Sequence, residues 1–214
     1  AAKEINDNGG VNGRMIKFIY EDGQCKGPTA TTAANKLVNV DGVKIITGTV
    51  CSSETLAAAP IAESNKVILL SVASSSPDIT KAGDYVFRVW PSDTGQGVKA
   101  AEYAIEKGYK KIAILNPLSD YNEALAKAFT EALKAKGGEI VAHEKYEQES
   151  KDFRTEITKV KGNNPDAVYL VPYGEGGLVA RQVRELGITV PILASETFGT
   201  PEILADAGDA AEGV

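Results

Sequence analysis

Residues 43–62 constrain the chain most. A β-branched run, Val43-Lys44-Ile45-Ile46-Thr47, meets a glycine-containing loop, Gly48-Thr49-Val50-Cys51, then Ser52 and Ser53, then an Ala/Leu-rich helical pattern. This is the strand–loop–helix unit of an open α/β sheet, and ligands collect at the carboxyl ends of such strands. Ser52 or Ser53 takes the N-cap position, with Glu54 and Thr55 in the first turn. Free backbone N–H groups and the positive end of the helix dipole suit a carboxylate or another small anion. Serine is also a preferred cap of any helix, so this stretch alone gives only a candidate anion site.

The same unit repeats on either side. A short opening helix closes at Asn8-Gly9-Gly10, a C-cap signal. Residues 15–20 read as a strand, 21–27 as a loop, and Pro28 starts a helix to about residue 40. Residues 66–70 are nearly all apolar, as in a parallel strand covered on both faces. They run into a second serine-rich loop, Ser71-Val72-Ala73-Ser74-Ser75-Ser76-Pro77. After a strand at 85–89, Trp90-Pro91-Ser92-Asp93 reads as a crossover, and the alternation restarts. Helices are predicted at 95–107, 121–136, 152–161, 174–186 and 201–207, and strands at 111–115, 139–146, 166–171 and 190–193. Strands alternating with helices of this length predict βαβ units and parallel sheets. The expected fold is α/β, in two similar halves at 1–90 and 91–214.

Bulk properties exclude several function classes. A net charge of −6 over 214 residues argues against nucleic acid or an anionic membrane as partner. No apolar run approaches a membrane span and no signal peptide is visible. The chain opens without Met and already inside a helical pattern, which reads as a processed or truncated piece. No phosphate-binding glycine motif and no Gly-x-Ser-x-Gly elbow occurs. His143, the one histidine, lies mid-strand beside Glu144 with no partner for a zinc pair. It is expected on a surface or edge strand; no metal, cofactor or catalytic residue is expected, and the chain does not read as an enzyme. Cys25 and Cys51, the two cysteines, fall at predicted strand ends. They are either buried thiols or a disulfide, and their spacing matches no redox or zinc motif.

The run Ala2-Lys3-Glu4-Ile5-Asn6-Asp7-Asn8-Gly9-Gly10-Val11-Asn12-Gly13-Arg14 resembles the periplasmic branched-chain amino-acid-binding proteins of ABC transporters. Tyr20-Glu21-Asp22, Ala33-Ala34-Asn35-Lys36-Leu37, Cys51-Ser52-Ser53, Ser76-Pro77-Asp78-Ile79-Thr80 and Gly208-Asp209-Ala210-Ala211-Glu212-Gly213 carry the likeness along the whole chain. The resemblance implies two doubly wound lobes around a hinge, with one small ligand between them. It also implies that the first strand, most of the first helix and everything after Val214 are missing. The first lobe would then be incomplete, with an unfilled sheet position, and the second would lack its last strand and crossover.

In this likeness Ser52 falls on the hydroxyl that binds the ligand carboxylate. Ser74 and Ser75 fall on the second carboxylate loop, Glu196 on the acid that pairs with the ligand ammonium, and Tyr121 and Tyr173 on cleft aromatics. Cys25 and Cys51 fall on the family's disulfide pair. The charge logic stands independently: serines and helix-end N–H groups suit an anion, while Glu196 and tyrosine faces suit a cation. A zwitterion carries both charges and would bridge the lobes. The function implied is capture of an aliphatic amino acid, or a related small amide or carboxylate, for an ABC permease at the periplasmic or extracellular face, with or without a lipid anchor. A monomer is expected for the complete protein. A sensory ligand-binding domain of the same fold is the alternative.

Overall fold

The computed structural model describes residues 1–214. The chain runs through α1 (Ala2–Asp7), α2 (Gly27–Asn35), β1 (Ile45–Thr47), α3 (Ser52–Asn65), β2 (Ile68–Ser71) and β3 (Val86–Arg88). It continues with α4 (Asp93–Glu106), β4 (Lys111–Pro117), α5 (Asp120–Ala135), β5 (Glu139–Tyr146) and α6 (Arg154–Gly162). Then come β6 (Ala167–Leu170), α7 (Gly176–Glu185), β7 (Ile192–Ala194) and α8 (Pro201–Ala207). Two sheets result, a three-stranded one in the order β1-β2-β3 and a four-stranded one in the order β5-β4-β6-β7. Every ladder is parallel, as βαβ connections require.

The four-stranded sheet is covered on both faces. Alternate residues of β4 enter different cores. Ile112 and Ile114 pack with Leu125, Phe129 and Leu133 of α5, whereas Ala113 and Leu115 join Ile157 of α6 and Val179 of α7. Helix α4 lies against α5. A Cβ at Gly97 would come within 2.6 Å of the Phe129 backbone nitrogen, so only glycine allows that approach. In the three-stranded sheet Ile46, Leu69 and Val86 form one buried face with Ala58, Ala59 and Ala62 of α3. The opposite face, including Ile45, Ile68 and Phe87, is open to solvent.

Three predictions need correction. Residues 15–20 are not a strand. An open cleft of about 540 Å³ lies between residues 16–19 and β1, and strands must lie about 4.8 Å apart to pair. Only Ile16 is tied down: its N–H donates to Asn6 Oδ1 at 2.7 Å, and its carbonyl accepts from Asn6 Nδ2 at 2.8 Å. The crossover at residues 90–93 is shorter than expected, because Ser92 caps α4 and Asp93 is its first residue. The N-cap of α3 is Cys51, so Ser52 and Ser53 lie inside the helix. The Glu54 carboxylate serves that terminus, accepting from the N–H groups of Cys25 at 3.1 Å and of Val50 and Cys51 at 3.2 Å. Cys25 and Cys51 form a disulfide with Cα atoms 5.2 Å apart.

Candidate functional site

The order β5-β4-β6 places a topological switch point between β4 and β6, where an open α/β sheet forms its crevice. Tyr121 follows β4 in the first turn of α5, and Tyr173 follows β6. Asn122, buried beside Tyr121, donates from Nδ2 to the Val171 carbonyl at 2.7 Å and so fixes α5 to the end of β6. Glu175 accepts from the Tyr173 N–H at 3.1 Å and from the Tyr146 hydroxyl at 2.8 Å. Thus held, the two tyrosine rings stack with centroids 5.5 Å apart.

Glu196 opens a short turn after β7. The Thr197 hydroxyl fastens that turn to the Pro172 carbonyl at 2.8 Å. The Glu196 carboxylate sits exposed at the cleft rim, accepting from the Gln96 amide and from the Tyr121 hydroxyl at 3.3 Å. Burial, reinforced by the negative Glu196, pushes the Tyr121 phenol far above its ordinary range, so it stays a proton donor. Burial likewise pushes Tyr173 up to about 12.

The facing wall comes from the first sheet. Ser52 and Ser75 are both buried. The Ser52 hydroxyl accepts from the Ser76 N–H at 3.2 Å, which ties the start of α3 to the loop after β2. Arg88 holds that loop from below, donating to the carbonyls of Ser75 at 3.1 Å and Ser76 at 2.7 Å. Together the walls enclose a cleft of about 290 Å³, lined by Ser52, Ser75, Trp90, Tyr121, Tyr173 and Glu196 among others. That is roughly ten waters' worth of space, fitting a small metabolite and no dinucleotide. Five of the six predicted ligand residues meet there. Ser74 does not line it; its hydroxyl turns inward to Thr55 Oγ1 at 2.7 Å and the Val50 carbonyl at 3.1 Å.

Asp93 was not anticipated. It is 2% exposed, and its Oδ2 has no hydrogen-bond partner. Its N–H donates to the Ser75 carbonyl at 3.0 Å. Burial raises its carboxyl from 3.8 to about 6; the Ser75 hydroxyl opposes this, negative Glu196 adds to it and Arg88 works against it. In the sequence an Asp after Ser92 is an ordinary helix start, and nothing local marks it as buried. Trp90 and Thr197, which line the cleft, also escaped notice, because they reach it only through tertiary packing; so did Gln96, the partner of Glu196.

Cys25, Cys51 and Glu54 cluster closely, but both sulfurs are committed to the disulfide and neither is a thiolate ligand. His143 lies on the edge strand β5, with Nε2 2.6 Å from Asn116 Oδ1. No helix is long and apolar enough to cross a membrane.

The family model described as periplasmic binding protein matches residues 1–214. The chain is 35% identical over 217 residues to a leucine-, isoleucine-, valine-, threonine- and alanine-binding protein of Pseudomonas aeruginosa, covering 100% of this chain and 58% of that protein. A leucine-binding protein of Thermotoga maritima superposes with a TM-score of 0.88 at 31% identity, over 96% of this chain and 59% of the other. A branched-chain amino acid transporter substrate-binding protein of Streptococcus pneumoniae, in complex with isoleucine, gives 0.81 at 32% identity, with 96% and 59% covered. The chain therefore spans under three fifths of these relatives' length. Its parallel α/β sheets, its cleft and the match along its whole length agree: the chain belongs to the periplasmic binding protein family.

Proposed function

We propose that this chain forms most of the cleft of an extracytoplasmic solute-binding protein that captures a small amino acid with an aliphatic side chain and delivers it to an ABC permease. Residues 1–90 and 91–214 act as the two lobes, and residues near Trp90 as part of the hinge. One observation carries the reading: Ser52 and Ser75 face Tyr121, Tyr173 and Glu196 across a single cleft of about 290 Å³. Buried hydroxyls at the start of α3 suit a carboxylate, and Glu196 with two stacked rings suits an ammonium group. A zwitterion satisfies both walls at once, so it favours closure through contacts absent in the open state. The named ligands of the relatives, leucine and isoleucine among them, support the aliphatic assignment. The site brings together binding groups without a nucleophile–base pair, and the role is binding without chemistry.

Glu196→Gln in the full-length natural protein is the test. The variant keeps the shape and removes the charge, so calorimetry should show leucine affinity falling about 10- to 100-fold, the worth of a hydrogen bond to a charged group. Benzoate, which has a carboxylate and no amine, should be unaffected or bind better. Equal losses for the two would make Glu196 structural, and no loss for leucine would remove the cationic half of the site.

A further inference from the structure

Part of the cleft lining suits neither charge. Val50, Ala73 and Trp90 line it from the first sheet, and Val50 and Ala73 come from the same two loops as Ser52 and Ser75. Val50 is 54% exposed and Trp90 49%. Large apolar side chains open to water inside a concave site offer a contact surface to a ligand. A tryptophan is the largest of these, with up to about 250 Å² to bury. The backbone on either side holds the indole in place. The Val89 N–H donates to the Ser71 carbonyl at 3.2 Å, and the Asp93 N–H to the Ser75 carbonyl at 3.0 Å. Both acceptors belong to the serine-rich loop, and Pro91 disfavours a helical turn at residue 90. Trp90 is thus anchored to the loop that presents Ser75.

Resting on the amino-acid reading of the cleft, we propose that Trp90 selects the ligand by its side chain, packing an aliphatic group against the indole. An amino acid with its carboxylate at Ser52 and Ser75 and its ammonium group at Glu196 has one substituent left to place. Two fixed ends hold the α-carbon, and its chirality then gives that substituent a single direction. The tyrosine rings stack on each other beside Glu196, on the ammonium side. The uncharged surface that remains is Val50, Ala73 and the indole, and of these the indole is by far the largest. A long aliphatic side chain covers it and displaces water, whereas a methyl group leaves most of it wet. Trp90 therefore sets a preference for leucine over alanine.

Trp90→Ala in the full-length protein is the test, with leucine titrated by calorimetry and alanine read by its competition with leucine. Leucine should weaken about 10-fold and alanine less than about 3-fold, the scale on which a hydrophobic pocket feels a lost methylene contact. Equal losses for the two would mean that Trp90 acts on lobe closure, which both ligands share. That result would overturn the proposal and leave the amino-acid reading intact. If benzoate binds and neither amino acid does, the reading and the proposal fall together. Should Trp90→Ala not fold, tryptophan emission carries the test. Saturating leucine should shift the emission of the unaltered protein to shorter wavelength further than saturating alanine does, and Trp90→Phe should erase the difference. Identical shifts for the two ligands, or a difference that survives in Trp90→Phe, would overturn the proposal.

Discussion

The two sheets follow one plan and end in different surroundings. In the second, β6 is buried along its whole length, β4 everywhere but Lys111, and helices pack on both faces. In the first, residues of one face are buried while their neighbours face water: Ile45 is 59% exposed, Ile68 40% and Phe87 50%. The register makes these one surface, since Ile45 pairs with Ile68, and Phe87 pairs with Leu70, two residues further along β2. Yet β1 and β2 of the first sheet are apolar on both faces, as β4 and β6 of the second are, the pattern of parallel strands with cover on each side. The pattern specifies what a strand needs; the rest of the chain decides whether it is supplied. Here the second sheet is a finished core and the first is half of one, stapled by a disulfide.

The largest effects should come from the finished core. Ile114→Ala and Leu115→Ala open cavities on opposite faces of the same strand, in two separate clusters. Each should cost about 2–5 kcal/mol, because both side chains are wholly buried. Chemical denaturation of the two variants checks this. A small loss for either would mean that one face of the second sheet is looser than its packing indicates.

Next comes the staple. The disulfide joins residues 26 apart, a loop worth about 3.5 kcal/mol in the chain-entropy model. Cys25 precedes α2, and Cys51 caps α3, the helix that covers the buried face of the first sheet. Reduction should therefore loosen β1 to β3 and leave β4 to β7 intact. Hydrogen exchange with and without reductant reads this directly. Equal loss of protection in both sheets would show that the two form one cooperative unit.

Much of this was legible because strand and helix periodicity is local. The strand at 139–146 and the helix at 201–207 were placed to the residue, since the signals that bound them lie in the sequence itself. The failures share a different cause. Residues 15–20 carry a strand pattern, but a strand exists only where a neighbour pairs with it, and a cleft lies where the neighbour would be. The cap of α3 was misplaced because Glu54 satisfies N–H groups from two chain segments, one of them 29 residues away. Of the cleft residues, Ser52, Ser75, Tyr121, Tyr173 and Glu196 were reached through a family likeness supported by charge logic. Asp93, buried against Ser75 rather than lining the cleft, was reached by neither, for its burial and missing partner are created only by packing.

The smallest effects should come from the bare face, and they test the comparison most sharply. Ile68 and Leu69 are adjacent in β2 and point to opposite faces. Leu69 is wholly buried, whereas Ile68 and, on the next strand, Phe87 face solvent. Ile68→Thr and Phe87→Thr keep or raise β propensity at their strand positions while removing apolar surface that water already reaches. Each should change stability by under about 1 kcal/mol, against about 2–5 kcal/mol for Leu69→Ala on the covered face. Thermal denaturation of this 214-residue chain measures all three. If Ile68→Thr costs as much as Leu69→Ala, the face is covered in solution and the asymmetry between the sheets disappears. If the two exposed substitutions are neutral, the same pair made in a longer natural form of the protein becomes informative. A large cost there would mean that residues outside this chain complete the first core.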